Sequence, residues 1–382
     1  MKVIICEYHP WDSEFRIGNH HYARIFLDNG WDVLWVSHPV SPFHSAKQAN
    51  KTRLERAQAG PIRHKNGPVE LVPLTRLPFL KKPFLSSRWV LNNTHRHTIP
   101  PLLNSLRAAG GFEQPDLIWL TDTVMHGIVD VASAKAVALR IADDNIHFRH
   151  MPSSLRHVEI KLAKRADIIF ATSSPLYVRL SSNYGEKVSL LRNGVNFEHF
   201  QGEFEKPDEF RDIEGPIAIY IGAIEEWFEP EWVEKLARER GDTTIVLIGR
   251  VGIDTFEFSE LPNVKFLGPR PYESIPAYLA HADVGVIPFK RTPLVESVSP
   301  LKLFEFFASG LPVVSTSWSE LEKLHSPATL VSDSLDFIDS VSQVIDQDEK
   351  KSRGDEFRSY AKANSWQARF ELAMSKLGAF LK

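Results

Sequence analysis

Apolar positions along the chain fall into short unbroken runs, separated by stretches with helical spacing. Lys2 to Cys6, Asp32 to Ser37, Asp116 to Leu120, Ala136 to Ile141, Asp167 to Ala171 and Val188 to Leu190 form a first series of predicted strands. Ile217 to Ile221, Thr244 to Ile248, Val264 to Phe266, Val284 to Ile287, Val313 to Ser315 and Ala328 to Val331 form a second. Strands that are apolar throughout, not alternately, are covered on both faces, as in a parallel sheet between helix layers. The alternation predicts an α/β chain of two Rossmann-like domains, and 382 residues are enough for two cores of ordinary size. The polar, acidic segment Asn196 to Gly215 reads as the linker. Near the end, Asn364-Ser365-Trp366 reads as a cap followed by an amphipathic helix with Phe370, Met374, Leu377, Phe380 and Leu381 apolar. The expected division is 1–195, 196–363 and a C-terminal helix, 364–382, that packs back toward the first domain.

Composition narrows the function. A net charge of -3 and a pI near 6.6 provide no general drive toward nucleic acid. The balance hides an asymmetry: Ser45 to Pro100 holds eleven Lys or Arg against two Glu, whereas Glu198 to Pro230 holds ten acids against two bases. Cys6 is the single cysteine, which excludes an intramolecular disulfide and any multi-cysteine metal site. No uncharged apolar stretch approaches the roughly 18 residues of a membrane span, so a cytoplasmic location is expected.

Chemistry in an open parallel sheet gathers at the carboxyl ends of the strands, where helix N-termini point amides at anions. At one such junction, Ser299 reads as a helix cap with Pro300 and Leu301 opening the first turn, and Lys302 and Glu305 three apart on one face. A diphosphate there meets free amides, a hydroxyl and a lysine, and Glu305 can accept from the two vicinal hydroxyls of a ribose. An ordinary surface Lys/Glu pair is the plainer alternative. Gly222, at the end of a predicted strand, lets backbone amides approach a phosphate or simply makes a turn. In the first half, Gly18, Asn19, His20 and His21 follow a long aromatic loop and are candidates for contact with an acceptor. Asp143 and Asp144 follow the apolar run ending at Ile141; one is a candidate general base and the other a helix cap. The segment Thr75 to His97, with Phe79, Phe84 and Trp89 among Lys81, Lys82 and Arg88, suits either an anionic bilayer or a packed loop with solvated charges.

The stretch Pro262 to Val314 resembles the donor half of the GT4-like GT-B glycosyltransferases. The resemblance rests on Asn263-Val264-Lys265-Phe266-Leu267-Gly268, on Tyr272 to Pro276, on Ala282 to Phe289 and on Glu305 to Val314. Tyr220 to Ala223 with Trp227-Phe228, and Asn193 to Asn196 with Phe200, extend it to about half the chain. The Ser-Pro-x-Lys-x-x-Glu form also resembles bacterial exopolysaccharide and teichuronic-acid-type transferases, including the xanthan-type glucuronosyltransferase. The resemblance implies a GT-B fold with two domains facing across a cleft and a nucleotide-sugar donor, a UDP-sugar. It also implies a glycan or lipid-linked saccharide acceptor, with no metal and no cofactor. It makes Arg270 a candidate for the nucleobase site and favours Asp144 as base, with His20 next. A lipid-linked acceptor would set the protein on the inner face of the cytoplasmic membrane. Two departures stand out. The family's first glutamate falls at Ser297, with Glu296 the nearest acid, and Gly222 is followed by Ala223 in place of a basic pair. An epimerase or phosphorylase of the same architecture, or a silent partner subunit, are the competing classes.

Overall fold

The computed structural model describes residues 1–13, 16–43, 48–142, 152–255 and 259–382. Two compact units result, Met1–Leu191 with Phe370–Lys382, and Arg192–Arg369. Each is built on one sheet.

In the first unit the strands are β1 (Lys2–Glu7), β2 (Asp32–Ser37), β3 (Ile62–Arg63), β4 (Val69–Leu71), β5 (Leu117–Leu120), β6 (Ala136–Ile141), β7 (Ile168–Ala171) and β8 (Val188–Leu190). Their order is β3-β4-β2-β1-β5-β6-β7-β8, parallel except for β3 against β4. The chain first builds outward from β1 through β2, then returns to its other side at β5, so the strand order reverses between β1 and β5. The second sheet holds β9 (Ile217–Ile221), β10 (Thr244–Ile248), β11 (Val264–Gly268), β12 (Val284–Ile287), β13 (Val313–Thr316) and β14 (Thr329–Val331). It is parallel throughout in the order β11-β10-β9-β12-β13-β14, and reverses between β9 and β12. The apolar runs explain the burial: Val3 to Cys6 and Val284 with Val286 and Ile287 are sealed from water.

Three aspartates do a job that the apolar pattern concealed. Asp116 and Asp167 stand just before β5 and β7, not inside them, and Asp283 just before β12. Their carboxylates accept from the Lys2, Val137 and Ile217 amides at 2.7, 2.8 and 2.8 Å. Each closes the open start of a neighbouring strand. Strands β3 and β4 escape the pattern because they are short and β4 carries Glu70, a fully buried carboxylate. It accepts from Ser37 Oγ at 3.0 Å and from the Trp11 amide at 3.1 Å, and it meets His64 Nε2 at 2.9 Å.

The segment Asn196 to Gly215 is not a linker. Phe200, Phe210 and Ile213 are buried in the second unit's core, so that unit begins at Arg192. Val195 pairs with Ser365 there. Ser365 caps the last helix, Trp366–Leu377, by accepting from the Ala368 amide at 3.2 Å. Farther along this helix Phe370 packs edge-on against Phe26, centroids 4.8 Å apart, and Phe380 beyond it is exposed. Among the described residues no helix is long and apolar enough to cross a membrane.

Phe370 is nearly sealed, so Phe370→Ala leaves a cavity against Phe26. The expected cost is about 3 kcal/mol, lowering the melting temperature of the first unit by roughly 6–12 °C. Differential scanning calorimetry reads this directly; an unchanged melting profile would contradict the packing.

Candidate active site

At the reversal point of the second sheet, β9 ends at Ile221 and Gly222 continues at φ +140°, which L side chains rarely adopt. Gly249, after β10, has φ +148°, and a Cβ there would sit 2.0 Å from the Gly222 carbonyl oxygen. The two strand ends can therefore close on each other only as glycines. A Cβ on Gly222 would in turn meet Lys302 Nζ at 2.7 Å. The glycine reserves the space that the lysine occupies.

Lys302 rises from the helix Leu301–Ala308. Its Nζ donates to Tyr220 Oη at 3.0 Å, and that hydroxyl donates to the Ala223 carbonyl at 2.8 Å. The ammonium lies 4.2 Å from the Tyr220 ring centroid and 4.6 Å from that of Phe289. Ring faces attract a cation, but weakly compared with a carboxylate. Among the described residues no carboxylate pairs with Lys302. Glu305, one turn on, is felt only as a charge, and its own carboxyl has no hydrogen-bond partner among the described residues. Both side chains keep some accessible surface yet lie deep. Burial pushes Lys302 down to about 7 against the pull of Glu305, and pushes Glu305 up to about 7 against that of Lys302.

Ser299 does not cap this helix. Pro300 occupies the cap position with no side-chain bond, because Ser299 lies one residue too early. Its hydroxyl is buried with no partner, while its carbonyl accepts from Asn193 Nδ2 at 2.8 Å. Thus a hydroxyl, the open amides of the first turn at Leu301 and Lys302, and an unpaired ammonium lie close along the chain at one helix start. Arg270 is placed otherwise than expected of a free base-site cation: its guanidinium is tied to Glu209 Oε1 at 2.8 Å and to Tyr278 Oη at 3.0 Å. Ser297 is buried and donates to the Leu294 carbonyl, and Glu296 accepts from the Ser319 amide at 2.8 Å. Neither supplies the acid that the resembling pattern sets at 297.

In the first unit, the expected acceptor residues are largely structural. His20 is buried between Trp11 and Trp35, its Nδ1 accepting from the Ile17 amide at 3.3 Å, which leaves Nε2–H to donate to the Pro10 carbonyl at 3.1 Å. Burial lowers it to about 4. Both nitrogens are in use, so the neutral ring has no lone pair left for a substrate proton. Asn19 donates to Glu7 and Thr121 and accepts from Trp119 Nε1, locking β1 to β5. Gly18 opens the helix Gly18–Asp28, with His21 in its first turn. Asp143 and Asp144 lie outside the described residues.

The polar group that sequence reading missed lies at the reversal between β1 and β5. Glu7, the last residue of β1, is buried and accepts from the Tyr8 amide and Asn19 Nδ2, each at 2.7 Å. Burial carries it up to about 7, with Asp122 adding to the rise and Arg140 opposing it. Asp122, after β5, meets His38 Nδ1 at 2.7 Å and accepts from the Val124 amide at 3.0 Å. Tyr8 lies over the His38 ring, centroids 5.0 Å apart, and Arg53 donates to the His38 carbonyl. A signal existed: His38 and Asp122 each stand just past a predicted strand, 84 residues apart.

With this geometry in hand, the likenesses to known proteins are informative. Residues 215–347 match the family described as Glycosyl transferases group 1. The chain is 26% identical over 310 residues to the putative teichuronic acid biosynthesis glycosyltransferase TuaH of Bacillus subtilis, covering 74% of this chain and 77% of the relative. In fold it is similar to sucrose-phosphate synthase from Thermosynechococcus elongatus, with TM-score 0.71 and 16% identity, over 100% of this chain and 98% of the other. It is also similar to Anabaena HepE in complex with UDP and glucose, with TM-score 0.68 and 15% identity, over 99% and 100%.

Gly249→Ala forces its methyl into the Gly222 carbonyl in a backbone conformation closed to alanine, and the expected loss is about 3 kcal/mol. Gly222→Ala carries the same kind of backbone strain at φ +140° but its methyl meets first the flexible end of Lys302 and not backbone, so it is expected to cost less. Thermal unfolding of the two variants should rank them in that order, and the reverse order would contradict the proposed packing of the strand ends.

Proposed function

We propose that the chain is a GT-B glycosyltransferase that transfers a sugar from a UDP-sugar to a saccharide acceptor in bacterial surface polysaccharide synthesis, without a metal ion. The observation that carries this reading is Lys302: an ammonium unpaired by any described carboxylate, over two aromatic rings, beside an unpartnered Ser299 hydroxyl and a helix start. A protein maintains such a cation at a desolvation cost when an incoming anion completes it. A diphosphate placed there takes charge from Lys302 and hydrogen bonds from Ser299 and the first-turn amides. As the glycosidic bond to phosphate breaks, negative charge grows on the leaving oxygen and these donors stabilise it more than they did the ground state. Glu305 then has the ribose hydroxyls as its missing partners. The uridine choice is supported by the HepE structures with UDP and with UDP-glucose, and polysaccharide synthesis by the name of the teichuronic acid relative. In this reading Lys302 and the first-turn amides supply the positive charge that meets the diphosphate.

Lys302→Ala is expected to reduce UDP release from UDP-glucose by about 100-fold or more. The wild type carries a further signature. Below pH 7 Lys302 is already charged; above it, binding must recruit a proton, and Glu305 becomes an extra negative charge. Affinity for UDP-glucose, whose diphosphate diester does not titrate in this range, therefore falls as pH rises from 6.5 to 8.5, by as much as about tenfold per unit. Calorimetric titration showing pH-independent affinity, or a fully active Lys302→Ala, would refute the assignment.

The acceptor in this reading is lipid-linked, and the protein works on the inner face of the cytoplasmic membrane. Phe84 and Trp89 are 65% and 57% exposed, with ring centroids 6.1 Å apart. Lys81 and Lys82 lie just before them, and Arg88 opens the helix Arg88–Asn93 that carries Trp89. Exposed aromatics ringed by basic residues match an anionic bilayer, each base adding roughly 1 kcal/mol. Replacing Lys81, Lys82 and Arg88 with Glu should cut cosedimentation with phosphatidylglycerol vesicles by more than tenfold while leaving UDP-glucose affinity unchanged. Undiminished cosedimentation would rule the patch out.

A further inference from the structure

The first unit carries, at the carboxyl end of its sheet, a group of side chains that neither its core nor its helix caps require. Tyr8, His38 and Asp122 each stand within two residues of a strand end, on β1, β2 and β5, which lie side by side in the order β2-β1-β5. Asp122 is buried; its Oδ2 accepts from His38 Nδ1 at 2.7 Å and its Oδ1 from the Val124 amide at 3.0 Å. Burial alone would raise Asp122, yet the charge and hydrogen bond of His38, the Val124 amide and the charge of Arg53 outweigh it and hold the carboxyl below its ordinary range. The carboxylate is thus ionised, so the neutral His38 ring carries its proton on Nδ1 and a lone pair on Nε2. Among the described residues nothing engages Nε2, and the His38 side chain is 15% exposed. Arg53 makes one hydrogen bond among the described residues, to the His38 carbonyl, and its charge is set against that of Asp122. Tyr8 is 53% exposed although the backbone around it is held on both sides. Its amide donates to Glu7 Oε1 at 2.7 Å, the His9 carbonyl accepts from Trp35 Nε1 at 3.0 Å, and the Pro10 carbonyl accepts from His20 Nε2 at 3.1 Å. The ring so fixed stands beside that of His38, centroids 5.0 Å apart. An exposed aromatic held in place next to an outward lone pair is a surface prepared for a ligand with one apolar face and hydroxyls at its rim.

We propose that Tyr8 and His38 form a saccharide-binding site contained within the first unit, with Asp122 as its positioning residue; the inference rests on the sugar-transfer reading above for its choice of ligand. The apolar face of a pyranose ring lies on Tyr8, and one of its hydroxyls donates to His38 Nε2. Asp122 does not touch the sugar: it fixes the tautomer that turns the lone pair outward. Arg53 is offset by Asp122, and the buried Glu7 carboxyl at the same strand ends adds only negative charge. The site therefore favours a neutral, hydroxyl-rich ring over an anion.

The test titrates the full chain with the methyl glycosides of glucose, galactose and mannose, followed by saturation-transfer NMR, with UDP-glucose binding measured in parallel. The wild type should bind at least one of these glycosides. Tyr8→Ala, at an exposed position that folding does not depend on, should weaken that binding about tenfold, whereas Tyr8→Phe keeps the ring face and should stay within about twofold. His38→Asn retains a donor near the Nδ1 position for Asp122 and loses the Nε2 lone pair, so binding should fall about threefold to tenfold. His38→Gln, whose amide oxygen reaches toward the Nε2 position, should recover part of that loss. Asp122→Asn should weaken binding when His38 is present and add little in the His38→Asn background, which separates positioning from a general structural effect. Circular dichroism checks that each variant is folded. A wild type that binds none of the glycosides, or binding that folded Tyr8→Ala and His38→Asn leave unchanged, would overturn the site. A wild type that binds a glycoside through these residues but does not bind UDP-glucose would instead overturn the transfer reading and leave the site standing.

Discussion

A parallel sheet covered on both faces has no room for charge except where its strands stop. In both units the apolar runs of the central strands, β1, β5 and β6 in the first and β12 and β13 in the second, are buried, so any ionisable group that must stay reactive is pushed to the strand ends. There, reversal of strand order leaves neighbouring crossovers on opposite faces and opens a crevice. The second unit places Gly222 and Phe289 at that point, just past β9 and β12, and Lys302 reaches it from the next helix. The first unit places Glu7, Asp122 and Asn19 at the corresponding point between β1 and β5.

The same constraint sets the charge state of these groups. Lys302, Glu305 and Glu7 are each drawn to about 7 by burial, though from opposite directions. For Lys302 the folded value lies below the unfolded one, so the protonated form opposes folding until an anion arrives. For the glutamates the folded value lies above it, so their ionised forms oppose folding as pH rises. In the proposed reading a phosphate at this helix start would offset that cost, part of its binding free energy going to restoring the lysine's charge.

What was legible in the sequence follows from distance along the chain. Lys302, Glu305 and Gly222 stood out because a helix start and a strand end are local patterns, and the strands were legible because their runs are apolar throughout. Ser299 was misread by one residue: a serine before a proline looks like a cap, but the proline itself took that position and freed the hydroxyl. The acidic stretch 196–215 was misread as a linker because its charges outnumber the few aromatics that anchor it, Phe200 and Phe210. His20 and Asn19 looked like acceptor contacts since polarity at a helix start suggests a ligand, yet each is consumed holding that start to neighbouring strands. His38 and Asp122 went unseen because their contact spans 84 residues. Each alone is an unremarkable polar residue after a strand; only the order β2-β1-β5 brings them together.

The departure at Ser297 acquires a physical meaning beside these assignments. The resembling pattern sets two glutamates near the donor, but here Ser297 is bonded to its own turn and the neighbouring Glu296 is engaged by the Ser319 amide. In the proposed reading the donor side therefore keeps Lys302 for the diphosphate and Glu305 for the ribose, while neither Ser297 nor Glu296 offers a free acid beside them. Within that reading Lys302 would not serve as a base while it neutralises phosphate, and burial raises Glu305 to about 7, into partial protonation. What this helix start can offer an anion is therefore set by burial of Lys302 and Glu305, and not by an ion pair with any described carboxylate.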